Sequence, residues 1–447
     1  FFLQDVGGGE AYQIYRLDRR TGRATLLTDG RSRHGALLLS RDGRRAAFSS
    51  TARNGRDTDV CLVELADPAV SAAESWTTAA RRLTEEEGSW WPVDFSPDGT
   101  RLLVAQYRAI DDADLWLTDL ESGRRVRVTP AEGKGSVASA AFSADGRSIY
   151  LVTDRWSDFN ELYRVELSAD GLAPAADPAT TPASSLSRSV KWNVEDLAVA
   201  PDGSTVVFAV NEDGLSRLYR LDPKSGDMEP VDLPEPGVVG TLRFPRDRGD
   251  VVFLSADTSR SPSDVFSYDL KERVFTRWTR SEVGGLDPSE FILPELVRYP
   301  STQGVTVPAF FYRPKSEGPG DRKFPVLIIW HGGPEGQSRP HFSPLTQFLV
   351  RELGIAVLLP NVRGSDGYGK AYLALDDGMK REESLKDIGA TLDWIAAQPD
   401  LDPERVAVYG ASYGGYMVLA SAAFYPERIR AAVDVVGISY LPSFLQN

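Results

Sequence analysis

Four times in its first two-thirds the chain places a small or apolar residue before Asp-Gly and then runs into β-forming residues. The copies are Ser40-Arg41-Asp42-Gly43 before Ala46-Ala47-Phe48, and Phe95-Ser96-Pro97-Asp98-Gly99 before Leu102-Leu103-Val104. They return as Phe142-Ser143-Ala144-Asp145-Gly146 before Ile149-Tyr150-Leu151-Val152, and Ala200-Pro201-Asp202-Gly203 before Val206-Val207-Phe208. A worn copy stands at Phe244-Pro245-Arg246-Asp247. Asp-Gly between β-rich runs is a hairpin signal, because glycine supplies the positive φ of the turn. A second, alternating segment ends on an acid: Ile14 to Asp18, Leu115 to Asp119, Leu162 to Glu166, Leu218 to Asp222 and Val265 to Asp269. Four short strands returning at this period, with almost no helical periodicity, predict the blades of a β-propeller. Six blades are legible over residues 1–283, and the whole ring is expected to hold six to seven. The first lacks its Asp-Gly half, so part of a blade is expected to precede Phe1. The repeated aspartates and aromatics read as structural rather than as calcium ligands, since each Asp-Gly lacks a second acidic cluster at ligand spacing. The Ala-, Pro-, Ser- and Thr-rich stretch from Gly171 to Ser189 reads as a blade insertion.

Between Ser281 and Pro294 the composition shifts through Gly284-Gly285, Pro288 and Pro294, which marks a linker. Beyond it strands alternate with helical patterns, the signature of a mostly parallel sheet over residues 290–447. Expected strands are Leu296–Tyr299, Val307–Tyr312, Val326–Trp330, Ala356–Leu359, Val406–Tyr409 and Ala431–Val435. Expected helices are Pro344–Glu352, Ser384–Ala397 and Tyr416–Phe424. In the second, Leu385, Ile388, Leu392 and Ile395 share one face.

Chemistry concentrates here. Gly410-Ala411-Ser412-Tyr413-Gly414-Gly415-Tyr416 reads G-x-S-x-G between an apolar run and a helical pattern, the context of a nucleophile elbow. Ser412 is the candidate nucleophile; a bystander serine in a Gly-rich turn is the alternative. The run Val326 to Trp330 opens into His331-Gly332-Gly333-Pro334, a loop type that supplies an oxyanion-hole N–H. Gly333, with Gly332 as runner-up, and Tyr413 are the expected donors, worth roughly 3–4 kcal/mol of barrier each. His331 reads as a brace for its loop, His341 as a surface residue, and His34 belongs to the propeller. Pro360-Asn361-Val362-Arg363-Gly364-Ser365 continues to Gly369 at the carboxyl end of a strand, where ligands collect in such sheets. Arg363 has two open roles there, an ion pair beneath the site or contact with substrate. Tyr416 is a second candidate for substrate contact.

A propeller followed by these three motifs resembles the prolyl oligopeptidase family of serine peptidases, in its acylaminoacyl-peptidase and dipeptidyl-aminopeptidase branch. The resemblance covers the whole chain. It implies an α/β-hydrolase domain, cleavage of short peptides or blocked amino termini through an acyl-enzyme on Ser412, and a propeller that restricts entry. It implies no cofactor and no metal. An esterase on the same fold and a peptide-binding pseudoenzyme are the competing readings.

The triad of such a fold runs Ser, Asp, His along the chain. None of the 35 residues after Ser412 is a histidine. Asp434, inside a predicted strand, and Glu427, in a Pro-Glu-Arg turn, read as local features. The acid and base are therefore expected to be absent from these 447 residues. The chain is expected to be a catalytically incomplete version of an active enzyme, truncated at both ends, and inactive alone. Its last strand should stand as an exposed edge. A net charge of −14 argues against nucleic acid or anionic membrane as partners. Cys61 is the sole cysteine, so no intrachain disulfide can form. Peptide substrates and a homo-oligomer are the expected partners. A cytoplasmic location is expected, with periplasmic or secreted as alternatives.

Overall fold

The computed structural model describes residues 1–65, 75–178, 183–315 and 323–446. Residues 179–182 of the expected insertion Gly171 to Ser189 lie outside the described residues. By packing, the chain falls into two compact units. One holds Phe1–Phe208, Arg220–Glu229 and Phe244–Asp250; the other holds Ala209–Tyr219, Pro230–Arg243 and Val251–Asn447.

Six antiparallel sheets form the blades of a six-bladed propeller. The first has three strands, Phe2–Gln4, Gln13–Leu17 and Ala24–Leu26; the other five have four each. Within the first unit the innermost strands His34–Leu39, Ser89–Phe95, Ser139–Phe142 and Asn193–Val199 lie side by side. The Asp-Gly turns are built alike. Ser40 O accepts from Gly43 N–H, and Ser40 Oγ donates to Asp42 at 2.6 Å. The same pattern recurs at Ser96, Asp98 and Gly99, and at Ser143, Asp145 and Gly146. The turn glycines have φ near +70°, as at Gly43, Gly99, Gly146 and Gly203, which disfavours a side chain there.

Period-two alternation sorts side chains between blades. On one strand, Leu102 and Val104 join Ala47, Val60 and Leu62 of the preceding blade. Leu103 points the other way, toward Phe142, Ile149 and Leu151. Each such side chain contributes about 1.5–3 kcal/mol by leaving water. A second repeat escaped the sequence reading. Ile14, Leu115 and Val265 each donate a backbone N–H to a threonine hydroxyl 14 residues later, Thr28, Thr129 and Thr279. Those hydroxyls in turn donate to buried Gln13, Asp114 and Asp264 at 2.7–2.8 Å. In these three blades the clamp ties the next-to-last strand to the segment just past the last one. Gln, Asp and Thr look unremarkable one at a time, so only their constant spacing could have announced it.

The remaining sheet has the strand order Glu295–Pro300, Thr306–Tyr312, Ala356–Pro360, Phe324–Trp330, Leu401–Ala411 and Ala431–Val435. The first two strands pair antiparallel, and so do Thr306–Tyr312 and Ala356–Pro360; the later pairs are parallel. Helices Leu385–Ala397 and Tyr413–Phe424 bury Ile388, Leu392, Ile395, Met417 and Val418 in a core with Val326, Ile328, Val406 and Val408. Helix Pro344–Arg351 sets Val350 against Tyr312 and Val357 in a separate cluster. Here is the α/β-hydrolase sheet, and Ala431–Val435 is its exposed edge, with all five residues open to solvent. No helix of the described residues is long and apolar enough to cross a membrane.

Three expectations shift. The strand expected at Val406–Tyr409 runs from Leu401 to Ala411, because parallel pairing with Phe324–Trp330 holds it at both ends. The helix expected at Tyr416 begins at Tyr413. Short helical turns at Lys370–Leu373, Ala374–Asp376 and Gly378–Ser384 fill a stretch that carries no clear periodicity.

Candidate active site

Three strand ends align to make the site. Gly410 pairs with Trp330 on one side and with Asp434 on the other. The turn after Gly410 therefore stands beside the His331 loop. Ser412 is exposed and takes φ +57°, ψ −122°, a region L-residues enter only under strain of about 1–3 kcal/mol. Its N–H donates to Val435 O at 3.0 Å and its carbonyl accepts from Tyr416 N–H at 3.1 Å. Backbone contacts hold the strain from both sides. The glycines allow it: a Cβ on Gly410 would overlap Gly414, and one on Gly414 would meet Trp330 and His331 carbonyl oxygens. Strand and helix thus cross at backbone distance, and the serine hydroxyl is left at the tip.

The loop after Trp330 coils tightly next to it. A Cβ built on Gly332 would stand 3.6 Å from the Ser412 Cβ. Gly333 is exposed with φ +132°. Among the described residues no backbone carbonyl accepts from the N–H of Gly333 or of Tyr413. Tyr413 opens its helix, where the first N–H groups have no partner in the helix. Both expected donors are therefore free to meet an anion.

The histidines are engaged elsewhere. Ser365 Oγ gives its proton to Val362 O at 2.6 Å. His331 Nε2 lies 2.8 Å from the same oxygen. His331 Nδ1 lies 2.9 Å from Gly332 O, and burial pushes the imidazole pKa down. The ring braces the loop. His341 is exposed as expected, with Nδ1 2.9 Å from Asp257. His34 is buried in the propeller beside Asp29. No hydrogen bond reaches Ser412 Oγ among the described residues. Asp434 is turned toward Gly415 and Gly437, where a Cβ on either glycine would overlap its carboxylate. Glu427 lies in the turn Pro426–Arg428.

Of the two roles open to Arg363, its burial and partners fit the ion pair beneath the site. The side chain is 1% exposed and its Nη2 pairs with Asp387 at 2.7 Å. Its Nε faces both Asp387 oxygens, Nη1 donates to Gln303 and Nη2 to Thr302. Every edge of the guanidinium is spoken for, because a buried arginine needs that many acceptors. Tyr416, the other candidate for substrate contact, has a half-buried ring packed on the sheet core, 5.3 Å from the Tyr413 ring.

Sequence reading missed the group beneath Tyr413. Asp376 is 2% exposed, and burial pushes its carboxyl up to about 6 even with Arg381 Nη1 at 2.7 Å. A buried acid paired with the guanidinium that lies over Tyr413 is a feature that only tertiary contacts create. Among the described residues no group of three or more His, Cys, Asp or Glu could hold a metal ion.

Residues 340–447 match the model of the prolyl oligopeptidase family. That stretch of the chain is similar to the family. Dipeptidyl aminopeptidase BIII of Pseudoxanthomonas mexicana is 24% identical over 100% of this chain and 63% of its own length. Dipeptidyl-peptidase 5 of Porphyromonas gingivalis is 24% identical over 98% of this chain and 61% of its own. The chain therefore spans just over three-fifths of the length of these two relatives. A puromycin-hydrolyzing peptidase of Mycobacterium tuberculosis shares the fold, with TM-score 0.80 at 22% identity over 98% of this chain and 68% of that one.

Proposed function

We propose that this chain carries the nucleophile and oxyanion site of a serine peptidase that removes dipeptides from the amino termini of short peptides. The observation that carries the reading is Ser412, exposed on a strained elbow beside Gly332. Its Oγ attacks the scissile carbonyl carbon and passes its proton to a general base. The carbonyl oxygen becomes an anion held by the N–H groups of Gly333 and Tyr413. Collapse of the adduct breaks the C–N bond, and the amine leaves with that proton. Water then hydrolyses the acyl ester on Ser412. Preference for dipeptides rests on the two relatives, which match 98–100% of the chain and are both dipeptidyl peptidases by name. Tyr416, one helical turn from Ser412 and partly open, is the proposed substrate contact, and Arg363, buried against Asp387, is assigned to its ion pair.

His331 is engaged with Ser365 and His341 with Asp257, so neither is assigned as the base of Ser412. Residues 1–447 produced alone are then expected to turn peptides over poorly. The experiment uses the native gene product and its Ser412→Ala variant. A fluorophosphonate probe should label the first and not the second. Dipeptidyl coumarylamides should be cleaved faster than N-acyl-aminoacyl amides or simple esters. Labelling that survives Ser412→Ala removes the nucleophile assignment, and a preference for esters removes the peptidase one.

A further inference from the structure

The residue after the nucleophile is held by its side chain as well as by its backbone. Ser384 Oγ donates to Arg381 O at 2.8 Å, so its single proton is taken. The Tyr413 hydroxyl, 3.0 Å from Ser384 Oγ, must therefore be the donor of that bond. The Arg381 guanidinium carbon stands 5.4 Å from the Tyr413 ring centroid, a cation–π distance. Asp376 fixes the guanidinium from below at 2.7 Å, and Glu335, on the oxyanion loop, acts electrostatically on both Arg381 and Asp376. Tyr413 itself is 3% exposed, and burial pushes its phenol up to about 12, so it stays a donor at working pH.

We propose that Arg381 and Ser384 are positioning residues for the oxyanion hole: by clamping the Tyr413 side chain at its ring face and its hydroxyl end, they fix the Ser412–Tyr413 peptide so that the Tyr413 N–H keeps its aim. The inference rests on the peptidase reading above. Its physical basis is the strained elbow. Ser412 at φ +57° sits in a shallow, sparsely populated region. Rotation of its peptide is opposed on one side by the helix and on the other by whatever holds Tyr413. Small tilts of an oxyanion donor matter, because the bond it makes is formed in the transition state and not in the ground state. Both residues act through the Tyr413 side chain, which separates this role from a binding one.

The test uses the native gene product with Arg381→Gln, Arg381→Lys, Ser384→Ala and Tyr413→Phe. For Arg381→Gln the expected result is a kcat lowered about tenfold at unchanged KM, with a matching fall in the rate of fluorophosphonate labelling of Ser412. Arg381→Lys should recover part of the loss by restoring the cation. Tyr413→Phe and Ser384→Ala should lose less, and their losses should not add, since they cut the same bond. Thermal midpoints read beside these separate folding from aim. A raised KM at normal kcat would overturn the proposal by making Arg381 a substrate contact. So would wild-type kcat and labelling in a variant that is merely less stable. If wild-type protein is not labelled at Ser412, the peptidase reading fails. If it is labelled and the Arg381 variants behave as wild type, only the clamp fails.

Discussion

Removing the carboxylate of Asp387 should unfold the hydrolase sheet without touching the reaction directly. Asp387 is wholly buried and Arg363 is 1% exposed. The carboxylate accepts from Arg363 Nη2 at 2.7 Å, from Arg363 Nε at 3.1 and 3.2 Å, from the Arg363 backbone N–H at 2.9 Å and from Ser301 Oγ at 2.5 Å. Asp387→Ala strands a buried guanidinium, a change that costs about 3–5 kcal/mol. It also orphans a backbone N–H on the turn that leads to Ser365 and His331. Asp387→Asn keeps an acceptor and should cost less. Replacing both partners, Arg363→Met with Asp387→Leu, removes the two desolvation penalties together. That double variant should recover most of the loss, because apolar pairs of similar volume often match buried ion pairs. The assay is urea denaturation followed by tryptophan fluorescence. Trp394 reports this sheet, packed between Tyr299 and Phe311. The chain has two units, so the midpoint is taken from the transition that carries this signal and not from a single global fit. An Asp387→Ala protein within about 1 kcal/mol of wild type would refute the reasoning. An Arg363→Met protein of normal stability with a raised KM would return Arg363 to the substrate.

Other outcomes follow from the same contacts. Ser412→Gly should be more stable than Ser412→Ala by about 1 kcal/mol, since glycine accepts φ +57° without strain; equal thermal midpoints would argue that the elbow is relaxed. Asp376 has its carboxyl raised from 3.8 to about 6. The folded state therefore holds this proton more tightly than the unfolded chain. Its contribution to stability is greatest below pH 4 and is lost as pH rises through about 6, by up to about 3 kcal/mol. Asp376→Asn should flatten that part of the stability–pH curve measured by denaturant titration. Gly364→Ala, at φ +88° and with a Cβ overlapping the Asp376 carboxylate, should destabilise the sheet's transition by more than 1 kcal/mol. Cys61 is buried in the propeller and burial pushes its thiol up to about 12, so it should resist thiol reagents until the protein unfolds.

Both architectures were written locally and so were legible. A propeller blade is a repeat of short-range pairings, and each Asp-Gly turn needs only its own few residues to form. Helix Leu385–Ala397 showed its stripe in the same way. The elbow too was local, because strand, serine and glycines are contiguous. What failed were assignments that depend on distant partners. Arg363 had two open roles until Asp387 and the segment Ser301 to Gln303 were seen to enclose it. The propeller's threonine clamps needed partners 14 residues away.

The sequence by itself determined the two folds, the serine elbow and the loop beside it, because each is encoded within one run of residues. Tertiary structure decided the rest. It tied His331 to Ser365, turned Asp434 toward its glycines, closed Arg363 under the site and set Arg381 against Tyr413. The physical reason is that burial and charge pairing are properties of an environment, and strands that are far apart in the chain build that environment together.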